Sequence, residues 1–378
     1  MMQVRQNNMT NLFPTTFNTS DELFAWLRSS EGGNMLVREG EGPYAVIYYD
    51  KKRSNMTLPH VQACRTVVWD KTKNAPVCMG PQRGLPFRQA IDDAATGFVT
   101  EEFVDGTMIN MFHDGALWRL ATRTQLDATG SFYGKTPFSE LFWGVFNTSG
   151  LKPSDLTSGV TYSWVLQHPE ERIVVAPPYG IAKITLVESS APIPVDSPLY
   201  KYRPATYALS TLEDVKEFVY AEERRGGAQF QGVVLKVCNK RYKLRTNAYC
   251  EARHLRGNQA KRPYLWLERW SEGRLSAYLR LYPEEQCDAD AVIGAFKTAT
   301  QELHDLYLKV YRRKELPLGQ APQKYRKLLW DAHQANVGAY FPLLRQFMNQ
   351  QDTARKLWLV NYESRYAPAP APAEETNA

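Results

Sequence analysis

Between about Asn34 and Leu255 the chain runs in short β-branched and aromatic stretches cut by Gly, Pro, Asn or Asp, and after about Asn258 this texture stops. Tyr44–Tyr49 (YAVIYY), Arg65–Asp70 (RTVVWD), Met108–Phe112 (MINMF), Ile184–Ser189 (ITLVES) and Gly232–Val237 (GVVLKV) are of strand length and composition. A helix is predicted near Leu212–Arg224, with Asp214, Glu217 and Glu222 on its polar face. A short one runs through Leu27, with Ser20-Asp21 as its N-cap and an acidic first turn suited to the helix dipole. From Asp288 to Lys314 the apolar residues Val292, Ile293, Phe296, Ala299, Leu303, Leu306, Tyr307 and Val310 fall on one helical face. Tyr325–Trp330 and Val337–Val360 continue in this style, punctuated by Pro317 and Pro342.

The pattern lacks regular βα alternation, so the expected class is α+β. It divides into an N-terminal arm and short helix (1–29), a mixed, mainly antiparallel domain (30–258) and an all-helical domain (259–365). The tail 366–378, YAPAPAPAEETNA, cannot bury a core and is expected to be disordered.

The apolar fraction of 43% and charged fraction of 23% are ordinary for a globular chain, which excludes a fibrous or wholly disordered class. A net charge of +6 is compatible with a polyanionic partner without requiring one. Cys64, Cys78, Cys238, Cys250 and Cys287 are odd in number and contain no CxxC pair, which argues against a zinc site or disulfide framework and for a reducing compartment. The opening MMQVRQNNMTNLFPTTFNTS has no apolar core of a signal peptide, and no stretch of eighteen apolar residues occurs; a membrane is not expected. Cytoplasm is the expected location.

Chemistry-bearing segments occur in a fixed order. They are Cys64-Arg65-Thr66-Val67-Val68, then Arg83, then Glu102-Phe103-Val104-Asp105-Gly106-Thr107-Met108-Ile109, then Thr122-Arg123-Thr124. Trp164 to Val174 (WVLQHPEERIV), Phe230-Gln231-Gly232-Val233-Val234 and Tyr242 to Tyr249 (YKLRTNAY) follow. Each alone is weak, but together and in this order they resemble the motifs of the phage-type RNA ligases. These belong to the tRNA-repair branch, found in tailed phages and large DNA viruses, of the covalent nucleotidyltransferase superfamily.

The resemblance implies an ATP-grasp-like nucleotidyltransferase domain, with the helical third as a subtype-specific appendage. In that family a lysine amine of the K-x-D-G-(S/T) box attacks the α-phosphate of ATP, with Mg2+, and the adenylate passes to an RNA 5′-phosphate. Here the lysine slot holds Phe103, which has no lone pair and cannot be a nucleophile. The nearest lysines, Lys73 and Lys135, have no D-G two residues on. Val165 stands where a ribose-binding Glu is expected and can neither accept a hydrogen bond nor bear charge; Gln231 stands where a metal-supporting carboxylate is expected and lacks the charge. Lys243 is retained, and Arg245 replaces a second lysine, keeping charge but not a compact ammonium. By the resemblance, Arg65, Arg83, Asp105, Gly106, Arg123, Gly232, Lys243, Arg245 and Tyr249 are candidate nucleotide or phosphate contacts, and no catalytic residue is intact.

Several segments also have plainer readings. Asp105-Gly106 alone is a type I′ hairpin pair. His168-Pro169 reads as a simple strand end rather than as a catalytic histidine. Lys236, Lys240, Arg241, Lys243 and Arg245 could be solvated strand positions, although Lys243 and Arg245 share a face by the period of two. Residues 251–280 hold Arg253, Arg256, Lys261, Arg262, Arg269, Arg274 and Arg280 with Trp266, Trp270 and Tyr278 interleaved. That is either an RNA groove, with Arg253, Arg256, Lys261 and Arg262 foremost, or a charged helix packing its rings inward.

Three functions follow as expectations. One is a degenerate RNA-ligase homologue (a pseudoenzyme) that binds RNA or nucleotide or serves a protein assembly partner. The others are an active ATP-dependent RNA ligase using ATP and Mg2+ with an atypical site, and a virion scaffold reusing the fold. A viral setting would place the chain in host cytoplasm or the virion.

Overall fold

A computed structural model describes residues 12–40, 42–90, 94, 97–237 and 240–362, so the proline-rich tail, the first residues and Cys238 lie outside the described part. The chain forms two compact units, Met1–His254 and Leu255–Ala378.

In the first unit, Leu36–Glu39 (β1), Tyr44–Tyr48 (β2), Val67–Asp70 (β3) and Ala75–Met79 (β4) form an antiparallel sheet in sequence order. The helix Ser20–Arg28 buries Leu23, Phe24 and Leu27 in a core shared with Ala45, Ile47, Val67 and Trp69. Its N-cap is Thr19, not Ser20: Thr19 and Glu22 form a capping box, while the Ser20 hydroxyl accepts from the Trp69 indole and donates to the Asn74 side chain. Serine was the expected cap, but the buried indole claims its oxygen.

Leu85–Pro86 (β5) and Val99–Glu102 (β6) come next, then Thr107–His113 (β7) and Trp118–Ala121 (β8). After the helix Phe138–Thr148, the chain forms Tyr162–Gln167 (β9), Lys183–Ser189 (β10) and Thr206–Tyr207 (β11). The helix Leu212–Gly226, capped by a Thr211–Asp214 box, leads to Gly232–Val237 (β12) and Lys240–Arg245 (β13). A second sheet has the order β10-β9-β7-β8 and a third the order β11-β6-β12-β13-β5, in which only β13 and β5 run parallel. Phe142, Phe146, Trp164 and Leu166 fill the core under the second sheet; Val215, Val219, Val233 and Leu235 fill that under the third.

Consecutive strands β6 and β7 therefore belong to different sheets. Asp105-Gly106 does not close a hairpin; it carries the chain from one sheet to the next, and the cleft forms where these sheets diverge.

The second unit is helical: Arg262–Ser271, Leu275–Leu281, Gln286–Tyr307, Gln323–Gln334, Phe341–Gln350 and Thr353–Val360. The apolar face read from Asp288 onward is the one that is buried, with Ile293, Phe296, Leu303 and Tyr307 in the main core. A π-helical turn, Leu308–Arg312, ends that helix. The stretch Val337–Val360 is two helices rather than one, and Pro342 lies in the first turn of Phe341–Gln350, where its missing N–H is no loss. No described helix is long and apolar enough to cross a membrane.

Candidate anion-binding cleft

The first unit holds a cleft of about 290 Å3. Arg65, Arg83, Phe103, Asp105, Gly106, Arg123, Val165, Gln231, Lys243, Arg245, Tyr249 and Arg253 all lie on its wall, so segments far apart in sequence meet there.

Asp105 ties these segments together. One of its carboxylate oxygens accepts the backbone N–H groups of Val174 and Val175, both at 2.9 Å, and the other accepts the Tyr249 hydroxyl at 2.7 Å. Burial, and then the Asp105 charge, push the Tyr249 phenol pKa upward, so the ring stays a neutral donor. Gly106 beside it has φ 147°, and an added Cβ would fall 2.4 Å from the Leu166 carbonyl oxygen of β9. Glycine is required there by the close approach of two backbones.

Phe103 lies in the loop after β6, its N–H donating to the Gly232 carbonyl at 2.9 Å. The Arg245 guanidinium stands over the Phe103 ring at 4.9 Å and over the Tyr249 ring at 5.6 Å. Phe103 thus serves as a shelf for a cation. Arg123 lies likewise over the Tyr49 ring at 5.0 Å, and its side chain donates to the Tyr49 carbonyl.

Eight cations line the cleft: Lys51, Arg65, Arg83, Arg123, Arg241, Lys243, Arg245 and Arg253. Against them stand three carboxylates, Glu101, Glu102 and Asp105. Glu101 is already committed, at 2.6 Å from the Lys236 ammonium and 3.0 Å from Arg203. Glu102 lies on the wall, where its charge adds to burial in raising the Tyr207 phenol. Among the described residues, no carboxylate pairs with Lys51, Arg65, Arg83, Lys243 or Arg245. Burial, followed by the charges of Arg245, Lys51, Arg83 and Arg65, pushes the Lys243 amine down to about 8. Lys51 is shifted downward too, first by burial and then by Arg83 and Arg123. These five cations repel one another with no carboxylate paired to them, an arrangement that an anion relieves.

A resident divalent cation does not suit these donors. Among the described residues no group of three or more His, Cys, Asp or Glu side chains comes together. The buried Gln231 Oε1, which lines the cleft without a hydrogen-bond partner, carries no charge to hold such an ion.

Some expected positions fall elsewhere. Gly232 is buried behind the wall and does not line the cleft; with φ 133° and an added Cβ only 2.0 Å from the Leu244 carbonyl oxygen, it serves the pairing of β12 and β13. Arg256 is fully buried in the second unit, where it donates to Glu285 at 2.7 Å and to the Tyr278 hydroxyl, so it is a structural cation and not an exposed RNA contact. Trp266 and Tyr278 are buried with it, the inward-packing arrangement. Arg262 lies 3.6 Å from the same Glu285, and Lys261 is exposed. His168 caps a short 3-10 turn through the Glu170 N–H, as a strand end does. The sequence reading missed Tyr49, Lys51, Gln82 and Arg241 as lining residues. Arg241 could have been found from the strand period, since it precedes Lys243 by two. Lys51 sits in a Lys-Lys-Arg turn that resembles any solvated loop.

No family model matches the chain, nor does any curated protein. Solved structures similar to it include an archaeal ATP-dependent RNA ligase in two forms. The first shares 14% identity, with 73% of this chain and 75% of that one covered and a TM-score of 0.40. The second shares 12%, with 95% and 89% covered and a TM-score of 0.41. A putative ATP-dependent DNA ligase from Aquifex aeolicus shares 13%, with 92% and 80% covered and a TM-score of 0.38. Likenesses of this size assign neither a family nor an activity.

Proposed function

We propose that the chain is an RNA-ligase-like protein whose cleft holds the phosphates of a nucleotide or RNA end, without a covalent nucleotide forming at residue 103. The observation that carries this reading is the group of five cations without a paired carboxylate, Lys51, Arg65, Arg83, Lys243 and Arg245, that line one cleft together with Phe103. The order of the sequence segments, which meet at one cleft where Asp105 ties its own segment to those of Val174 and Tyr249, supports it. Phe103 and Val165 offer no nucleophile and no ribose acceptor, so the cleft keeps charge where the related chemistry needs phosphates and lacks the groups that transfer them.

Salt-titrated binding of a 5′-phosphorylated RNA oligonucleotide tests the reading. Each phosphate neutralised contributes a slope of about −0.7 in log K against log salt for a single strand. The double variant Arg65→Met, Lys243→Met is expected to bind more weakly and with a shallower slope. Affinity that ignores both salt and this variant contradicts the reading.

A second reading, an active enzyme with a different nucleophile, is favoured by one feature: Lys243 is a cleft lysine whose amine is pushed to about 8. A bound phosphate draws that amine back to its charged form, which weighs against it. Covalent label on Lys243 would decide for it.

A further inference from the structure

The wall of the cleft is apolar as well as charged. Val165, Val104 and Val187 also line it, with Met108 packed on them, and the three valines are each less than a tenth exposed. Their side chains offer a sugar hydroxyl no acceptor. The uncommitted polar side chains that could read a nucleoside are few, namely Gln82, Glu102 and the buried Gln231. Asp105 already accepts from three donors and Glu101 pairs with two cations. Of the rings on the wall, Phe103 and Tyr249 face Arg245, and Tyr49 faces Arg123, so each has a guanidinium over a face that a base would stack on. The cleft's 290 Å3 also lies at the low end of small-molecule sites, which span about 300–1,000 Å3.

Resting on the phosphate-binding reading above, we infer that the cleft recognises an oligophosphate chain and is indifferent to the nucleoside attached to it. Five cations without counter-charges match the several negative charges of a triphosphate better than the one or two of a single phosphate. Arg65, Arg83 and Arg245 supply planar forks for paired phosphate oxygens, and Lys51 and Lys243 supply point charges. The chain could be free or the 5′-triphosphate end of an RNA; the cations meet the same oxygens in either case.

Calorimetric titration of the full chain with inorganic tripolyphosphate, ATP, AMP and adenosine, at one salt concentration, tests this. Tripolyphosphate and ATP are expected to bind within about threefold of each other, AMP roughly tenfold or more below them, and adenosine not measurably, since each lost charge contact costs up to about a factor of ten. Competition by 5′-triphosphorylated RNA separates the sources. Competition well below the tripolyphosphate concentration identifies an RNA end, and competition at equal concentration identifies the free chain.

ATP binding more than about thirtyfold tighter than tripolyphosphate, or adenosine binding by itself, overturns the inference while leaving phosphate binding intact. Failure of every phosphate compound to bind overturns both. Lys51→Met is a second variant that leaves the core intact, because the residue lies in a turn and, among the described residues, no hydrogen bond or ion pair ties its side chain to the fold. It is expected to weaken tripolyphosphate by about three- to tenfold, and an unchanged affinity counts against the inference.

Discussion

The Arg245 guanidinium lies 4.9 Å from the centre of the Phe103 ring, so Phe103 acts as a support for one of the cations that line the cleft. A cation over an aromatic face contributes about 0.5–2 kcal/mol depending on desolvation. Phe103→Ala is therefore expected to lower anion affinity by roughly three- to thirtyfold, with only a small loss of stability because the ring is half-exposed. Phe103→Leu, which keeps bulk and removes the π face, should fall almost as far. Wild-type affinity in both variants would show that the shelf is irrelevant.

Phe103→Lys alone is expected to give no covalent adenylate. Val165 and Gln231 line the same cleft and offer no carboxylate to orient ribose or hold a metal. Ligation of nicked RNA by that single variant would contradict the joint loss of these functions.

The pH dependence follows from Lys243, whose amine is pushed down to about 8 by burial and neighbouring cations. Below that value it is charged and attracts an anion; as pH rises through 8 it becomes neutral. Anion affinity is expected to fall between pH 7 and 9.5, and Lys243→Met should flatten that part of the profile. Stability moves the other way. The folded pKa lies below the unfolded value of about 10.4, so the unfolded chain binds more protons between the two, and Lys243 weighs least against folding at the alkaline end. Lys243→Met is therefore expected to raise Tm at pH 7 and to lose that advantage by pH 10. A variant melting below wild type at pH 7 would refute this.

The strands were readable because their apolar runs are short and sharply ended: YAVIYY, MINMF and GVVLKV all lie within or across β2, β7 and β12. Sheet membership was not readable. Glu102 and Thr107 are five residues apart in sequence, yet β6 and β7 join different sheets, since pairing depends on partners brought from residues 162–167 and 232–237. On the cleft, Arg65, Lys243 and Arg245 could be singled out because the segments that hold them, CRTVV and YKLRTNAY, resemble motifs of a known family. Lys51 could not, because its position depends on where a turn lands against the other sheets. Arg256 shows the opposite failure: a basic residue among aromatics looks alike on paper whether the rings face solvent or core.

Asp105 accepts three hydrogen bonds while buried. Asp105→Ala strands those donors at about 1–3 kcal/mol each, partly relieved by relaxation, and is expected to cost roughly 3 kcal/mol in urea unfolding. Tyr249→Phe removes one of the three and should cost about 1 kcal/mol. Equal losses from the two variants would be at odds with Asp105 as the common tie.

In the second unit, Arg256→Met leaves Glu285 buried without its main counter-charge and is expected to destabilise by about 3–5 kcal/mol. RNA affinity per folded molecule should not change. A specific drop in RNA binding with stability intact would return Arg256 to the binding surface.

The most direct measurement is a paired assay with radiolabelled ATP and magnesium, counting label retained on the native protein and label surviving a denaturing gel. Saturable label that salt removes is expected on the native protein, and none on the denatured chain. Label that stays on the chain after denaturation, or none on the native protein at all, would contradict this expectation.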